Sequence, residues 1–249
     1  YIPGDYTHML YDKRSESDGE TSSLYFEVIS DISDHTQLTA GVRYIEEEKD
    51  SYFKQPYVNP AVLGLWIPAS VGQIEASQKH DDTVGELTIR HELRDDVSIY
   101  AAYKQGWKSG GFSNSGILAV LSNKVSDFTF EPEEVDGFEF GVKALLADGT
   151  MSLEAEVFSY EFEGLQVDFF NSVLWSNVTY NAGSAKTEGA EINLVYAPST
   201  MDGLTLHGSL LFLDSGYEDF IAPCIAGQTP ANGCNIAPND VVAVPQQQL

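Results

Sequence analysis

The sequence predicts an all-β chain, folded as an antiparallel transmembrane β-barrel, from three observations. No segment of useful length shows helical periodicity, whereas apolar and polar residues alternate with period two in eight segments. The connections within successive pairs of segments are short, and those between pairs are long. The segments run to about 10–13 residues, enough to cross an apolar bilayer at a tilt. This rhythm of short turns and long loops is typical of outer-membrane barrels, and lipid tolerates no open β architecture.

The first two predicted hairpins comprise strands at 20–30, 36–48, 82–93 and 97–108. On the second strand, one face carries Leu38, Ala40, Val42 and Tyr44. Tight turns at 31–35 and 94–96 are rich in Asp, which favours local hydrogen bonds to the backbone. A long loop rich in Pro and Gly, 49–80, is predicted to join the two hairpins.

The other two hairpins comprise strands at 133–146, 151–163, 185–196 and 203–214. The turn at 147–150 contains Gly149, where a positive φ costs little. The alternation slips at Phe158, which predicts a β-bulge. Longer loops are predicted at 109–132 and 164–183.

The order of short and long connections also predicts where the ends lie. If the short turns are periplasmic, the first strand descends from the outside and the eighth returns to it. Both ends of the chain are then extracellular, whereas complete bacterial barrels start and finish in the periplasm. The chain is therefore predicted to be an interior fragment of a larger barrel.

Charge excludes one class of partner. The chain has 13 Lys and Arg against 38 Asp and Glu, a net charge of -25, which repels the phosphate backbone of nucleic acids. The acidic residues cluster outside the apolar strand centres, as in Glu46-Glu47-Glu48 and Glu131-Pro132-Glu133-Glu134. Two interpretations stay open: a solvated acidic surface, or loops that attract Ca²⁺ through carboxylate and carbonyl oxygens.

The two cysteines, Cys224 and Cys234, lie close together in a stretch rich in Pro, Gly and Asn. This spacing predicts a disulfide and hence an oxidising compartment, with two free thiols as the alternative. Because no His lies near them, the sequence predicts no metal site there.

Catalytic motifs are not recognisable in the sequence. It contains no Gly-x-Ser-x-Gly, His-Glu-x-x-His, phosphate loop or Cys-x-x-Cys, and its five histidines are scattered. The protein is therefore predicted not to be an enzyme.

Ligand contacts, if the protein binds a ligand, are expected on the long loops. The candidates are Tyr52, Phe53, Tyr57 and Trp66 on the first loop and Trp107, Lys108 and Phe112 at the second. Aromatic rings offer stacking area, and Lys108 offers charge to an anionic chelate. The alternative is that these aromatic residues pack the loops together or form an interfacial girdle.

Four segments, in order, resemble the C-terminal half of TonB-dependent outer-membrane receptors of proteobacteria such as sphingomonads. They are Leu38-Thr39-Ala40-Gly41-Val42-Arg43-Tyr44, Tyr100 to Phe112, Phe130 to Lys143 and Asn181 to Glu191. The resemblance covers most of the chain and assigns residues 1–249 to the barrel domain. No plug motif or TonB box is recognisable in these residues.

The resemblance implies a 22-stranded barrel with an N-terminal plug, in the outer membrane of a Gram-negative bacterium. Such a receptor binds a scarce small-molecule nutrient, often a ferric siderophore and sometimes haem, cobalamin or an oligosaccharide. The expected partners are outer-membrane lipid and the TonB–ExbB–ExbD complex, which acts through an N-terminal region. No cofactor is expected, and the ferric chelate is the cargo.

Three other classes of function remain as alternatives. One is a structural or adhesive outer-membrane barrel, and another is a carbohydrate- or cobalamin-specific receptor. The third is a soluble β-sandwich that binds glycans. An outward band of apolar residues such as Leu38, Leu210 and Phe212 would aggregate in water, which argues against the soluble sandwich.

Overall fold

The computed structural model describes residues 9–60, 72–113, 125–171, 176–181 and 183–220. Eight long strands form one antiparallel sheet; they are β1 (Tyr11–Ser33), β2 (Thr36–Val58), β3 (Ile74–Arg94), β4 (Val97–Lys108), β7 (Glu133–Leu146), β8 (Met151–Glu163), β11 (Gly183–Tyr196) and β12 (Leu206–Phe220). Two small pairs lie in the connections, namely β5 (Gly111–Phe112) with β6 (Thr129–Phe130) and β9 (Gln166–Asn171) with β10 (Ser176–Asn181). A 3₁₀ turn covers Val125–Asp127.

The strand order of the large sheet is β1-β2-β3-β4-β7-β8-β11-β12, so each strand pairs with its neighbour along the chain. This confirms the predicted all-β meander of hairpins. Within the described residues, β1 and β12 each pair on one side only, so the sheet is open. No helix of the described residues is long and apolar enough to span a membrane.

The predicted strand boundaries agree with the structure at β4, β7 and β8. β1, β2 and β3 are much longer than predicted: β1 begins at Tyr11, β2 continues to Val58 and β3 begins at Ile74. The strand predicted at 203–214 begins and ends later, as β12. The residues just beyond the predicted ends, such as Lys49 to Ser51 on β2 and Gln78 to His80 on β3, are polar on both faces and carry no alternation. The register between β2 and β3 holds them in the sheet as far as Phe53 and Ile74, which are buried. The predicted loop at 49–80 therefore shrinks to the residues between these strands.

One face of the sheet, here called the apolar face, carries a continuous row of nonpolar residues. The cross-strand register aligns Leu38, Ile89, Ala101, Phe140, Val157, Ala190 and Phe212 on seven consecutive strands. Side chains that face each other across a ladder point to the same side. Phe140 and Phe212 are 61% and 65% exposed, so nothing in the described chain covers this face.

The opposite face, here called the polar face, carries charged residues and tyrosines. Lys104 donates to Glu139 at 2.7 Å, and Tyr100 donates to Glu156 at 2.5 Å. Tyr160 also donates to Glu139. The two faces therefore differ in chemistry as the walls of a membrane barrel do, with lipid on one side and water on the other.

The bulge predicted at Phe158 was wrong. The ladders from β8 to β7 and to β11 run without a register shift through Phe158, which lies opposite Gly189. The slip in the alternation arises because an aromatic residue stands on the polar face, where its ring lies against a glycine. A Cβ at Gly189 would lie 2.5 Å from the Phe158 ring, so the missing side chain makes room for the ring.

Candidate functional site

The buried hydrophobic cluster of the described residues lies at the loop end of the sheet, not along its length. It consists of Phe53, Ile74 and Phe128, with Phe112 packed against it. The Phe112 and Phe128 rings stack with centroids 5.8 Å apart. Phe112, a predicted ligand contact, thus packs the 109–132 connection against the ends of β2 and β3, as the alternative interpretation expects. Phe53, predicted on a loop, lies instead in β2 and is 1% exposed.

A pocket of about 450 Å³ lies beside this cluster. Its wall is formed by Arg43, Ile45, Glu47, Lys49, Trp107, Lys108, Ser109, Phe130 and Gln166. Two of the predicted ligand contacts, Trp107 and Lys108, are among these residues. The structure therefore brings them together with four residues of β2 that lie about 60 positions earlier in the sequence.

Trp107 and Lys108 belong to different faces of β4. The register places Lys108 opposite Glu133 and Trp107 opposite Glu134, and successive side chains on a strand point to opposite sides. Lys108 lies on the polar face, 3.5 Å from Glu133, with its side chain 61% exposed. Trp107 borders the pocket from the apolar face, on the same side as Tyr103, where an interfacial girdle would lie.

A clasp of three side chains holds the start of the 109–132 connection to β2. The Lys49 ammonium donates to Ser109 Oγ at 2.5 Å and to the Gly110 carbonyl at 2.9 Å, and it lies 2.5 Å from the Glu47 carboxylate. Ser109 in turn donates to Glu47. Spacing along the sequence gives no signal for this clasp, because its members meet only when β2 and β4 share a sheet.

The clasp lies beyond the nonpolar part of the apolar face. On β2, the nonpolar residues of that face end at Tyr44, and the next residues on it are Glu46, Glu48 and Asp50. Burial disfavours the charged form of Glu47, but hydrogen bonds from Lys49, Ser109 and Thr21 outweigh it and lower the pKa of this carboxyl. The negative charge on Glu47 is therefore part of what holds the clasp together.

Acid is expected to open the clasp. Because the pKa of Glu47 is lower in the folded protein, its stabilising contribution is complete above the ordinary Glu pKa of about 4.3 and is lost as the pH falls through the folded value. Amide hydrogen exchange of 109–112, corrected for the intrinsic effect of pH, should rise between pH 7 and pH 3. Glu47→Gln should show fast exchange already at pH 7, and Glu20→Gln should behave as wild type. A pH-independent rate in the wild-type protein would contradict this assignment.

Two amide side chains tie the connections to one another. Gln166 donates to the carbonyls of Ser109 and Glu131 at 2.9 and 3.0 Å. Asn181 donates to the carbonyls of Glu131 and Gly164 at 2.8 and 2.7 Å, and it accepts from the Glu131 amide at 2.7 Å. The two connections that contribute Ser109, Phe130 and Gln166 to the wall of the pocket are thus hydrogen bonded together.

Some predicted residues lie outside the described part of the chain. These are Trp66 and both members of the predicted disulfide, Cys224 and Cys234. Among the described residues, no three His, Cys, Asp or Glu side chains come together as a metal site. The expectations of a disulfide and of loop-bound Ca²⁺ remain predictions.

A family model described as "TonB dependent receptor-like, beta-barrel" matches residues 2–249. The chain belongs to this family. As part of a TonB-dependent receptor barrel, it is an outer-membrane protein whose apolar face meets lipid and whose polar face lines the lumen. The open eight-stranded sheet is a partial barrel, consistent with the predicted fragment.

Solved structures share this fold. The ferric yersiniabactin uptake receptor FyuA from Yersinia pestis aligns with 85% of the chain at 16% identity and a TM-score of 0.60. The ferric-catecholate import receptor Fiu from K12 E. coli aligns with 86% at 14% identity and a TM-score of 0.62. The ferric citrate transporter FecA aligns with 82% at 21% identity and a TM-score of 0.52. The chain covers 33%, 30% and 27% of these three proteins. No curated protein sequence matches it.

Proposed function

We propose that the intact protein is a TonB-dependent receptor that takes up a ferric siderophore or a similar iron chelate. The observation that carries this proposal is the pocket at the loop end of the polar face, where Arg43, Lys49 and Lys108 converge in a chain of net charge -25. Iron chelates are often anionic, and such a chain repels them except where cations are concentrated. The names of the three structural neighbours support the same class of cargo.

The pocket residues have distinct roles in this proposal. Lys108 contributes charge from the polar face, and the Phe130 ring offers a flat apolar surface. Trp107 and Phe112 are further aromatic residues that could contact the ligand, and the sequence adds Trp66 as a candidate. The clasp and the amide ties hold the connections in place, so less conformational entropy is lost when the ligand binds.

The partners follow from the same proposal. The receptor sits in outer-membrane lipid and draws energy from the TonB–ExbB–ExbD complex through an N-terminal region. Iron is cargo, carried as its chelate, and no resident cofactor is needed. A disulfide between Cys224 and Cys234 would fit the oxidising environment outside the inner membrane.

Uptake of labelled iron tests the proposal. Cells lacking the gene, the same cells with the gene restored, and restored cells lacking TonB should be grown under iron limitation. Each strain is then given iron as its citrate, catecholate or trihydroxamate chelate, and labelled cobalamin and a labelled oligosaccharide serve as further arms. We expect TonB-dependent accumulation of at least one iron chelate only when the gene is present.

Other results of the same experiment discriminate the alternatives. If cells accumulate cobalamin or the oligosaccharide but no iron chelate, the cargo is that compound and the iron-chelate proposal is wrong. Equal accumulation of every compound with and without the gene would overturn the receptor proposal and favour a structural or adhesive barrel.

A further inference from the structure

One arginine in the pocket differs from the other three arginines of the chain. Arg14, Arg90 and Arg94 each form an ion pair with a carboxylate two residues away on the same strand, namely Asp12, Glu92 and Asp96, at 2.7, 3.1 and 3.1 Å. The positions two residues from Arg43 hold Gly41 and Ile45. Among the described residues, Arg43 has no ion pair and one hydrogen bond, to Ser23 Oγ at 2.9 Å.

The strands on either side also keep carboxylates away from Arg43. Its cross-strand neighbours are Tyr25 on β1 and Val84 on β3, both uncharged. Three carboxylates lie two positions along those strands. Glu27 and Glu86 accept from the Tyr25 hydroxyl at 2.7 and 3.2 Å, and Asp82 accepts from the Thr83 amide at 2.7 Å. In a chain with 38 acidic residues, an exposed guanidinium with four of its five N–H donors unused is therefore a specific arrangement.

The other two cations of the pocket are already partly neutralised. Lys49 lies in the clasp with Glu47, and Lys108 lies 3.5 Å from Glu133. Arg43 consequently contributes the uncompensated positive charge to this cavity of about 450 Å³. A guanidinium presents parallel N–H donors that match the two oxygens of a carboxylate or phosphate, which makes it selective for planar oxyanions.

We propose that Arg43 is the anion-binding residue of this pocket and takes a carboxylate or phosphate group of the transported ligand. This inference rests on the proposed function and narrows it, because it requires a cargo that presents such a group beside its metal. A neutral chelate would leave the guanidinium without a partner. Arg43 is thus a residue that determines specificity, and the sequence-based candidates did not include it.

Arginine modification tests the proposal on the intact protein in detergent. Phenylglyoxal reacts with accessible guanidinium groups, and mass spectrometry of peptides gives the rate at each arginine. Metal-free citrate and inorganic phosphate are the two probes. With citrate at about ten times its Kd, the modification of Arg43 should slow roughly tenfold, since only the unoccupied fraction reacts. Arg90, which is paired and lies near the short-turn end of β3, should react at the same rate with and without the probe.

The outcomes separate the sources of the anion and the two proposals. Protection by citrate alone assigns a carboxylate ligand, and protection by phosphate alone assigns a phosphate ester. In calorimetry, Arg43→Gln should abolish binding of the probe that protects. Arg90→Gln should bind this probe as the wild-type protein does. Unchanged modification of Arg43 with both probes would overturn the inference. So would an Arg43 that resists phenylglyoxal without any anion, because another part of the intact protein would then cover it. If a probe protects Arg43 but cells take up no iron chelate, the iron-chelate function is overturned and the anion site stands. If cells take up an iron chelate but no probe protects Arg43, the function stands and the anion site is overturned.

Discussion

Replacing Gly141 with alanine is expected to destabilise the barrel wall by about 1–3 kcal/mol, the usual cost of overpacking. Gly141 on β7 lies directly opposite Tyr100 on β4, and the tyrosine ring lies over the glycine. A Cβ at this position would lie 2.3 Å from Cε1 of Tyr100. The ring cannot simply turn away, because its hydroxyl donates to Glu156 at 2.5 Å. Loss of the heat-resistant folded band on an unboiled gel measures the effect.

Two variants control this prediction. Gly208 also lies within a strand, but a Cβ there would meet nothing within 4 Å, so Gly208→Ala should unfold at the wild-type temperature. If the ring causes the clash, the double variant Gly141→Ala, Tyr100→Ala should be no less stable than Tyr100→Ala alone. Equal unfolding temperatures for Gly141→Ala and Gly208→Ala would show that the wall accommodates the methyl group.

Replacing Asn181 with aspartate is expected to release the connections at the loop end of the sheet. The Asn181 amide donates to the carbonyls of Glu131, Pro132 and Gly164 at 2.8, 3.3 and 2.7 Å. Aspartate has nearly the same shape, but its carboxylate cannot donate and would place negatively charged oxygens against these three carbonyl oxygens. We expect a loss of about 1–3 kcal/mol from the local opening free energy, the usual cost of leaving a hydrogen-bonding group unpaired in the protein. Hydrogen exchange at 131–133 and 164–166 measures this opening.

Asn181→Ala separates lost hydrogen bonds from added repulsion. Alanine removes the amide without placing a charge against the carbonyls, so its effect should be smaller than that of aspartate. Exchange in the centre of β8 should stay at the wild-type rate in both variants, because the effect is local. If aspartate and alanine open the connections equally, or neither does, Asn181 is not the tie that the hydrogen bonds indicate.

The strands β4, β7 and β8 were predictable to the residue because two signals coincide there. Their apolar and polar residues alternate, and their short turns carry Asp or Gly. In the turn after β7, Ala147, Asp148 and Gly149 all adopt positive φ. The outer parts of β1, β2 and β3 lack the first signal. Residues such as Lys49 to Ser51 are polar on both faces, so only pairing with the neighbouring strand shows that they remain in the sheet.

The candidate site was partly predictable. The sequence singled out Trp107, Lys108 and Phe112 as aromatic or cationic residues at the end of a strand, and the structure places the first two at the pocket. The sequence did not identify the clasp or Arg43. Arg43 occurs in a segment that carries the family resemblance, but a pattern along one strand does not show whether a charge on the next strand lies within reach.

The sequence by itself determined which residues share a face, because the pleat of a strand sends alternate side chains to opposite sides whatever their neighbours are. The apolar face, the polar face and the positions of the short turns follow from that period. Only the tertiary structure decided which residues of different strands meet. Register is set by backbone hydrogen bonds between segments far apart in the chain, and it brings Glu47 and Lys49 to Ser109 while it leaves Arg43 between Tyr25 and Val84.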